Sequence, residues 1–174
     1  MIAARPAALV IGLGGNVGTE AEIIDRFGRA REALAVLSGP AGARSAPLYR
    51  SAPIGPAQPA YLNTALGIAP ADDVQPGELI AALLELEQLL GRDRAREVRW
   101  GPRRIDLDVL VWGARIVRTP ELEIPHPRLA ERKFALAPLA ALLGDDFAIP
   151  GLGIAGELLR RVADQVCEQL VATW

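Results

Sequence analysis

Residues 92–112 read RDRAREVRWGPRRIDLDVLVW. Their last eight residues, Ile105 to Trp112, form an apolar run broken only by Asp106 and Asp108, which predicts a strand at 105–112. Upstream, Leu79, Leu83, Leu86 and Leu90 recur at helical spacing over 76–90, with Pro76 suited to the first turn and Gly91 to the stop. Further back, strands are expected around 43–50 and 61–69, separated by the Pro-rich loop SAPIGPAQPA. A helix from Thr19 carries Ile23, Phe27, Ala30, Leu34 and Leu37 on one stripe. Thr19 can cap it, with Glu20 and Glu22 in the favourable first turn, and Gly39-Pro40 ends it. The run ALVIGL at 8–13 reads as a buried first strand.

The predicted order to residue 112 is strand–helix–strand–strand–helix–strand. That order implies an α+β fold, a ferredoxin-like βαββαβ sandwich with a mainly antiparallel sheet and helices on one face. Short helices near 127–131, 135–143 and 156–163 and a strand near 166–172 are expected as C-terminal additions. No repeat or linker divides the chain, so residues 1–174 are expected to form a single domain.

The composition agrees. Hydrophobic residues make up 51% and charged residues 23%, which excludes wholesale disorder. The longest uncharged stretch, Ser51 to Ala71, holds four prolines, so no spanning helix is expected. Arg5 and the apolar run after it lead into Gly-Gly-Asn without a small-residue cleavage pattern, and so read as a strand and not a signal peptide. Cys167 is the sole cysteine, which fits a reducing cytoplasm. The net charge of −2 argues against nucleic acid or an anionic membrane as the main partner. Lys133 is the sole lysine, so bound phosphate must be held by guanidinium groups, backbone amides or metal.

Gly12, Gly14, Gly15 and Gly18 suggest a dinucleotide turn, but Val17 stands where the fingerprint needs its third glycine. The plainer reading is a tight strand-to-helix turn with Asn16 in an unusual backbone conformation. No Gly-Lys-Ser/Thr is present for a P-loop, and one His with one Cys supports neither a zinc site nor a Cys–His pair.

The chemistry concentrates in residues 92–108. Between Arg92 and Arg104, six arginines against Asp93 and Glu97 give a local charge of +4, leaving −6 on the rest of the chain. A period of two puts Asp106 and Asp108 on one strand face, continued by Leu110 and Trp112, with Ile105, Leu107, Val109 and Val111 on the other. Two readings are open for the acids. They can pair with neighbouring arginines as a structural network, or they can hold one or two Mg²⁺ ions for phosphate chemistry.

Five segments occur together in one order: GLGGNVG at 12–18, Tyr-Leu-Asn at 61–63, Leu-Glu-x-x-x-Gly-Arg at 86–92, RWGPRRIDLD at 99–108 and IPHPRLAERKF at 124–134. With them the chain resembles the 6-hydroxymethyl-7,8-dihydropterin pyrophosphokinases of folate biosynthesis over about residues 9–140. The resemblance implies transfer of pyrophosphate from ATP to the pterin hydroxymethyl group, giving AMP and the pterin diphosphate, with ATP as co-substrate and two Mg²⁺. It implies that Asp106 and Asp108 hold the metal, that Arg92 and Arg103 act on phosphate in catalysis, and that Trp100 lies on a closing loop. It further implies Tyr61 and Phe134 as a stacking pair for the pterin, Asn63 as the reader of its edge, and Ser51 and Ile54 in the same pocket. Glu87, Arg92, His126 and Arg132 match nucleotide-binding positions. Glu87 can equally be a solvated helix residue, and Tyr61 and Phe134 can be ordinary core aromatics.

The chain departs from the family pattern in places. Gly15 replaces a frequent serine, Glu121 stands where some members have arginine, and the arginine loop is one residue longer than in compact bacterial members. A monomer acting in the cytoplasm on small molecules is expected. Two other classes compete: an anion- or RNA-binding module and a metal-dependent phosphohydrolase. The acid pair disfavours the first, since carboxylates repel phosphate unless metal intervenes. The lack of a water-activating His or acid triad disfavours the second.

Overall fold

The computed structural model describes residues 9–174, so Ala8, expected to open the first strand, lies outside the described residues. The sheet is built from β1 (Leu9–Gly15), β2 (Arg44–Ser45), β3 (Leu48–Ser51), β4 (Tyr61–Ile68), β5 (Asp106–Trp112) and β10 (Cys167–Val171). Its order is β10-β3-β4-β1-β5, with β2 beside β4, and every ladder is antiparallel. Helices α1 (Glu20–Ala35) and α2 (Pro76–Leu89) link β1 to β2 and β4 to β5. This is the expected βαββαβ arrangement. The single strand expected at 43–50 is two short ones, interrupted at Ala46 and Pro47, because proline cannot donate to a ladder.

After β5 come the hairpin β6 (Val117–Arg118) and β7 (Glu123–Ile124), helix α3 (Lys133–Leu143), the hairpin β8 (Ala148–Ile149) and β9 (Gly153–Ile154), and helix α4 (Ala155–Arg161). Neither hairpin is foreseen in the sequence reading. The helix expected at 127–131 is one 3-10 turn over Leu129–Glu131. Pro138 sits in the second turn of α3, near enough its start that few backbone bonds are lost.

Helices cover both faces of the sheet, not one. Leu9, Ile11 and Leu13 point to a core with Ile23, Phe27, Leu34, Leu79 and Leu83. Val10 and Ala65 point the other way, to Leu136, Leu139 and Leu158 of α3 and α4. An apolar run such as LVIGL suits a strand covered on both sides. Thr19 caps α1 as expected, forming a capping box with Glu22.

The alternation expected along β5 fails at one point. Val109 faces Ile11 and Val111 faces Val10, so Leu110 is an extra residue, a β-bulge. Beyond it the faces exchange. Leu110 and Val111 both pack toward α3, whereas Trp112, 1% exposed, enters the core shared with α1 and α2. Trp112 therefore does not continue the aspartate face, and Val111 does not share the side of Leu107.

Candidate active site

The site opens on the α3 face, at the end of the sheet where β1 carries glycines. Gly12 and Gly14 lie opposite Asp108 and Asp106 and form part of the cavity floor. They are strand residues, not turn residues, and their lack of side chains leaves the floor open. A Cβ on Gly12 would press on Leu110 at 3.2 Å. Asn16 has ordinary backbone geometry, contrary to expectation. Among the described non-glycine residues, the left-handed conformation belongs to Trp100, at φ 63°.

One cavity of about 140 Å³ is lined by Ser51, Ile54, Tyr61, Asn63, Trp100, Arg103, Asp106, Asp108, His126, Arg132 and Phe134. The structure thus brings together every residue singled out from the sequence except Glu87 and Arg92. Both of these are buried beneath it. Arg92 is 4% exposed, and its guanidinium donates to Glu87 (2.7 Å), to both Glu97 oxygens (2.8 and 2.9 Å) and to Asp106 (2.5 Å). Burial opposes its charge, but Glu97, Asp106 and Glu87 outweigh that and raise its pKa. Glu87, 1% exposed, also accepts from Arg94 (2.6 Å) and from the backbone N–H of Leu107 (2.8 Å). A solvated helix position is excluded for Glu87. It ties α2 to the arginine loop and to β5, one residue past Asp106.

The two aspartates are therefore unequal. Asp106 bonds to Arg92, as the structural-network reading expected. The group nearest the Asp108 carboxylate is the His126 imidazole, whose Nε2 lies 3.9 Å away. The Asp108 side chain is 41% exposed, yet enclosing protein and the neighbouring Asp106 charge push its pKa up to about 7. A carboxylate pair so arranged is short of positive charge, and hard oxygen donors of this kind suit Mg²⁺. Within the described residues no third His, Cys, Asp or Glu joins them as a metal cluster.

His126 follows the cis peptide bond at Ile124-Pro125, and its backbone N–H donates to the carbonyl of the bulged Leu110 (2.9 Å). Its Nδ1 accepts from the backbone N–H of Arg128 (3.1 Å). Burial, reinforced by Arg132 and Arg128, lowers its pKa to about 4. The imidazole is thus neutral at pH 7, with its proton on Nε2, the nitrogen nearer Asp108.

The rest of the cavity wall is joined by hydrogen bonds that sequence does not reveal. Asn63 donates to Ser51 Oγ (2.8 Å), and Tyr61 donates to the carbonyl of Gly101 (2.9 Å). Gln58 donates to the carbonyl of Trp100 (2.7 Å) and accepts from Asn16 (3.0 Å). Asn16 also accepts the N–H of Arg103 (2.8 Å). The Trp100 ring lies under the Arg128 guanidinium, 4.8 Å from its centroid. Gln58 and Asn16 so connect the Pro-rich loop, the glycine segment and the arginine loop.

A second hollow of about 320 Å³ adjoins the first and shares Asp108 and His126 with it, with Thr119, Glu121 and Glu123 on its wall. No described helix is long and apolar enough to cross a membrane.

Known proteins share this sequence pattern. A 2-amino-4-hydroxy-6-hydroxymethyldihydropteridine pyrophosphokinase of Synechocystis is 39% identical over 136 residues, covering 78% of this chain and 66% of the relative. One of Haemophilus influenzae is 34% identical over 155 residues, covering 88% and 92%. The mitochondrial folate synthesis bifunctional protein of Pisum sativum is 42% identical over 139 residues, but this chain spans 25% of its length. Among solved structures, Plasmodium falciparum HPPK-DHPS with pteroate superposes with a TM-score of 0.65 at 10% identity, over 92% of this chain and 45% of that one. That likeness concerns the fold. The family model for 7,8-dihydro-6-hydroxymethylpterin-pyrophosphokinase (HPPK) matches residues 10–144, and the chain belongs to that family.

Proposed function

We infer that the chain transfers the pyrophosphoryl group of ATP to the hydroxymethyl oxygen of 6-hydroxymethyl-7,8-dihydropterin, releasing AMP, as a step of folate biosynthesis. Family membership supports the reaction. The observation that carries it in this chain is one cavity lined both by the acid pair of β5 and by Tyr61, Asn63 and Phe134 of β4 and α3. A metal-dependent phosphohydrolase would need no such aromatic and amide wall.

In this reading Tyr61 and Phe134 hold the flat pterin ring between them. Because Asn63 donates its amide N–H to Ser51, its Oδ1 is left to accept from the edge of the ring. Asp106 and Asp108 would hold two Mg²⁺ ions, whose bound charge would neutralise the phosphate oxygens. Arg103 and Arg132 supply further positive charge along the phosphates. Neutral His126 presents Nε2–H to a phosphate oxygen and does not act as a base, since a loose phosphoryl transition state has little need of one. Arg92 and Glu87 act from beneath, Arg92 by fixing Asp106 and Glu87 by fixing Arg92. Trp100 closes over the cavity and excludes water. The unit is residues 1–174 as one domain, acting as a monomer in the cytoplasm.

The test is incubation of the protein with ATP, Mg²⁺ and hydroxymethyldihydropterin, followed by nucleotide analysis. AMP should form in step with pterin consumed. ADP, or AMP formed without pterin, would overturn the assignment.

A further inference from the structure

Arg26 is a charged residue in the apolar stripe of α1, between Ile23 and Phe27, and is 5% exposed. It reaches no substrate position. Its two terminal nitrogens donate to two backbone carbonyls, Nη2 to Val17 and Nη1 to Arg104. Val17 belongs to the turn between β1 and α1. Arg104 lies two residues before Asp106 and one after Arg103. Gly18, at φ 99°, leaves room for this guanidinium, since a Cβ there would stand 2.9 Å from Nη2.

The neighbouring contacts act on the same short segment. The N–H groups of Asn16 and Val17 both donate to the Arg103 carbonyl, at 2.9 and 3.2 Å, and Asn16 Oδ1 accepts the Arg103 N–H. A Cβ on Gly15 would lie 2.7 Å from the Arg104 carbonyl oxygen, so the two backbones meet as closely as glycine permits. Burial without a bonded carboxylate is costly for a guanidinium, and its pKa is lowered, first by desolvation and then by the Arg104 charge. Such a group is retained where two carbonyls must be held at a fixed separation, a task suited to a rigid fork of donors.

We propose that Arg26 is a positioning residue for the transfer reaction, clamping the exit of the arginine loop so that Arg103 and Asp106 enter the site in register. The proposal rests on the pyrophosphokinase reading for its kinetic consequence. The pterin wall lies on β3, β4 and α3 and meets the arginine loop at Gly101, ahead of the segment held by the clamp. Losing it should therefore lower kcat far more than it raises the pterin KM.

The variant Arg26→Met keeps the apolar stem and removes both donors. A displacement of order 1 Å should cost about 10²-fold in kcat, with the pterin KM changed by less than about threefold. Arg26→Lys, able to reach one carbonyl, should recover about tenfold of the loss and stay about tenfold below wild type. Amide hydrogen exchange across 103–106 should quicken in Arg26→Met, with exchange in β4 unchanged. A kcat within about threefold of wild type, a KM rise matching the kcat loss, or unaltered exchange at 103–106 would each overturn the proposal. If Arg26→Met does not fold, Arg26→Lys decides alone: wild-type kcat and wild-type exchange overturn it. If the wild type forms no AMP from pterin, the functional reading fails, while the exchange measurement still decides whether Arg26 is the clamp.

Discussion

Replacing Asp108 by asparagine should stabilise the metal-free protein while destroying its activity. The ionised carboxylate stands beside Asp106 in a partly enclosed pocket, and its pKa rises from 3.8 to about 7. Three pKa units correspond to about 4 kcal/mol. With 41% of the side chain open to solvent, screening reduces this to about 1–2 kcal/mol. The direction follows from linkage. Below about pH 4 the carboxyl is protonated in folded and unfolded chains alike, and the substitution gains nothing. Between about pH 4 and 7 the unfolded chain ionises while the folded one resists, so wild-type stability declines relative to the variant. Above about pH 7 the difference is constant. For a chain of this size the gain amounts to about 2–8 °C in Tm. Thermal melts of both proteins from pH 4 to 8, with chelator, measure it directly. Added Mg²⁺ should raise the wild-type Tm and leave the variant nearly unmoved. A variant no more stable than wild type at pH 8, or a gain independent of pH, would refute the reasoning.

Three other outcomes are expected. His126→Asn should show the opposite pH trend: the folded imidazole titrates near 4 and the unfolded one near 6.5, so wild type loses stability as pH falls through that window and the variant does not; parallel melting curves would contradict this. Glu87→Ala leaves the buried Arg92 short of a carboxylate and should cost about 3–5 kcal/mol in urea unfolding, whereas a cost under about 1 kcal/mol would assign Glu87 to the surface electrostatics of Arg94. Gly15→Ala drives a methyl group toward the Arg104 carbonyl and should cost about 1–3 kcal/mol, with slower AMP formation; an unaffected enzyme would show that the two segments separate freely.

The main elements and the cavity-lining residues were legible because they depend on local periodicity and on an ordered set of motifs. Leu79 and Leu83 on one stripe, Thr19 before two glutamates, and Asp106 two residues from Asp108 each declare their direction without tertiary knowledge. Burial of polar side chains was not legible. Glu87 and Arg26 look like solvent-facing charges on amphipathic helices, and their partners lie 20 residues away at Leu107 and 78 away at Arg104. Nor does an alternating pattern disclose a bulge, since Leu110, Val111 and Trp112 are apolar and satisfy either register. The second helical layer escaped for a related reason: a strand with small or apolar residues on both sides does not say what covers the second.

The single surplus residue at Leu110 separates β5 into two independently registered halves. Removing it would force a choice: the strand could keep the acids facing the cavity and rotate Trp112 out of the core, or keep Trp112 and turn both acids inward. The same removal would withdraw the carbonyl that receives the His126 N–H. Sequence change is therefore unequal along this strand. Side chains beyond the bulge can vary with the core they fill, whereas the strand's length cannot change by one residue without turning the acid pair from the cavity.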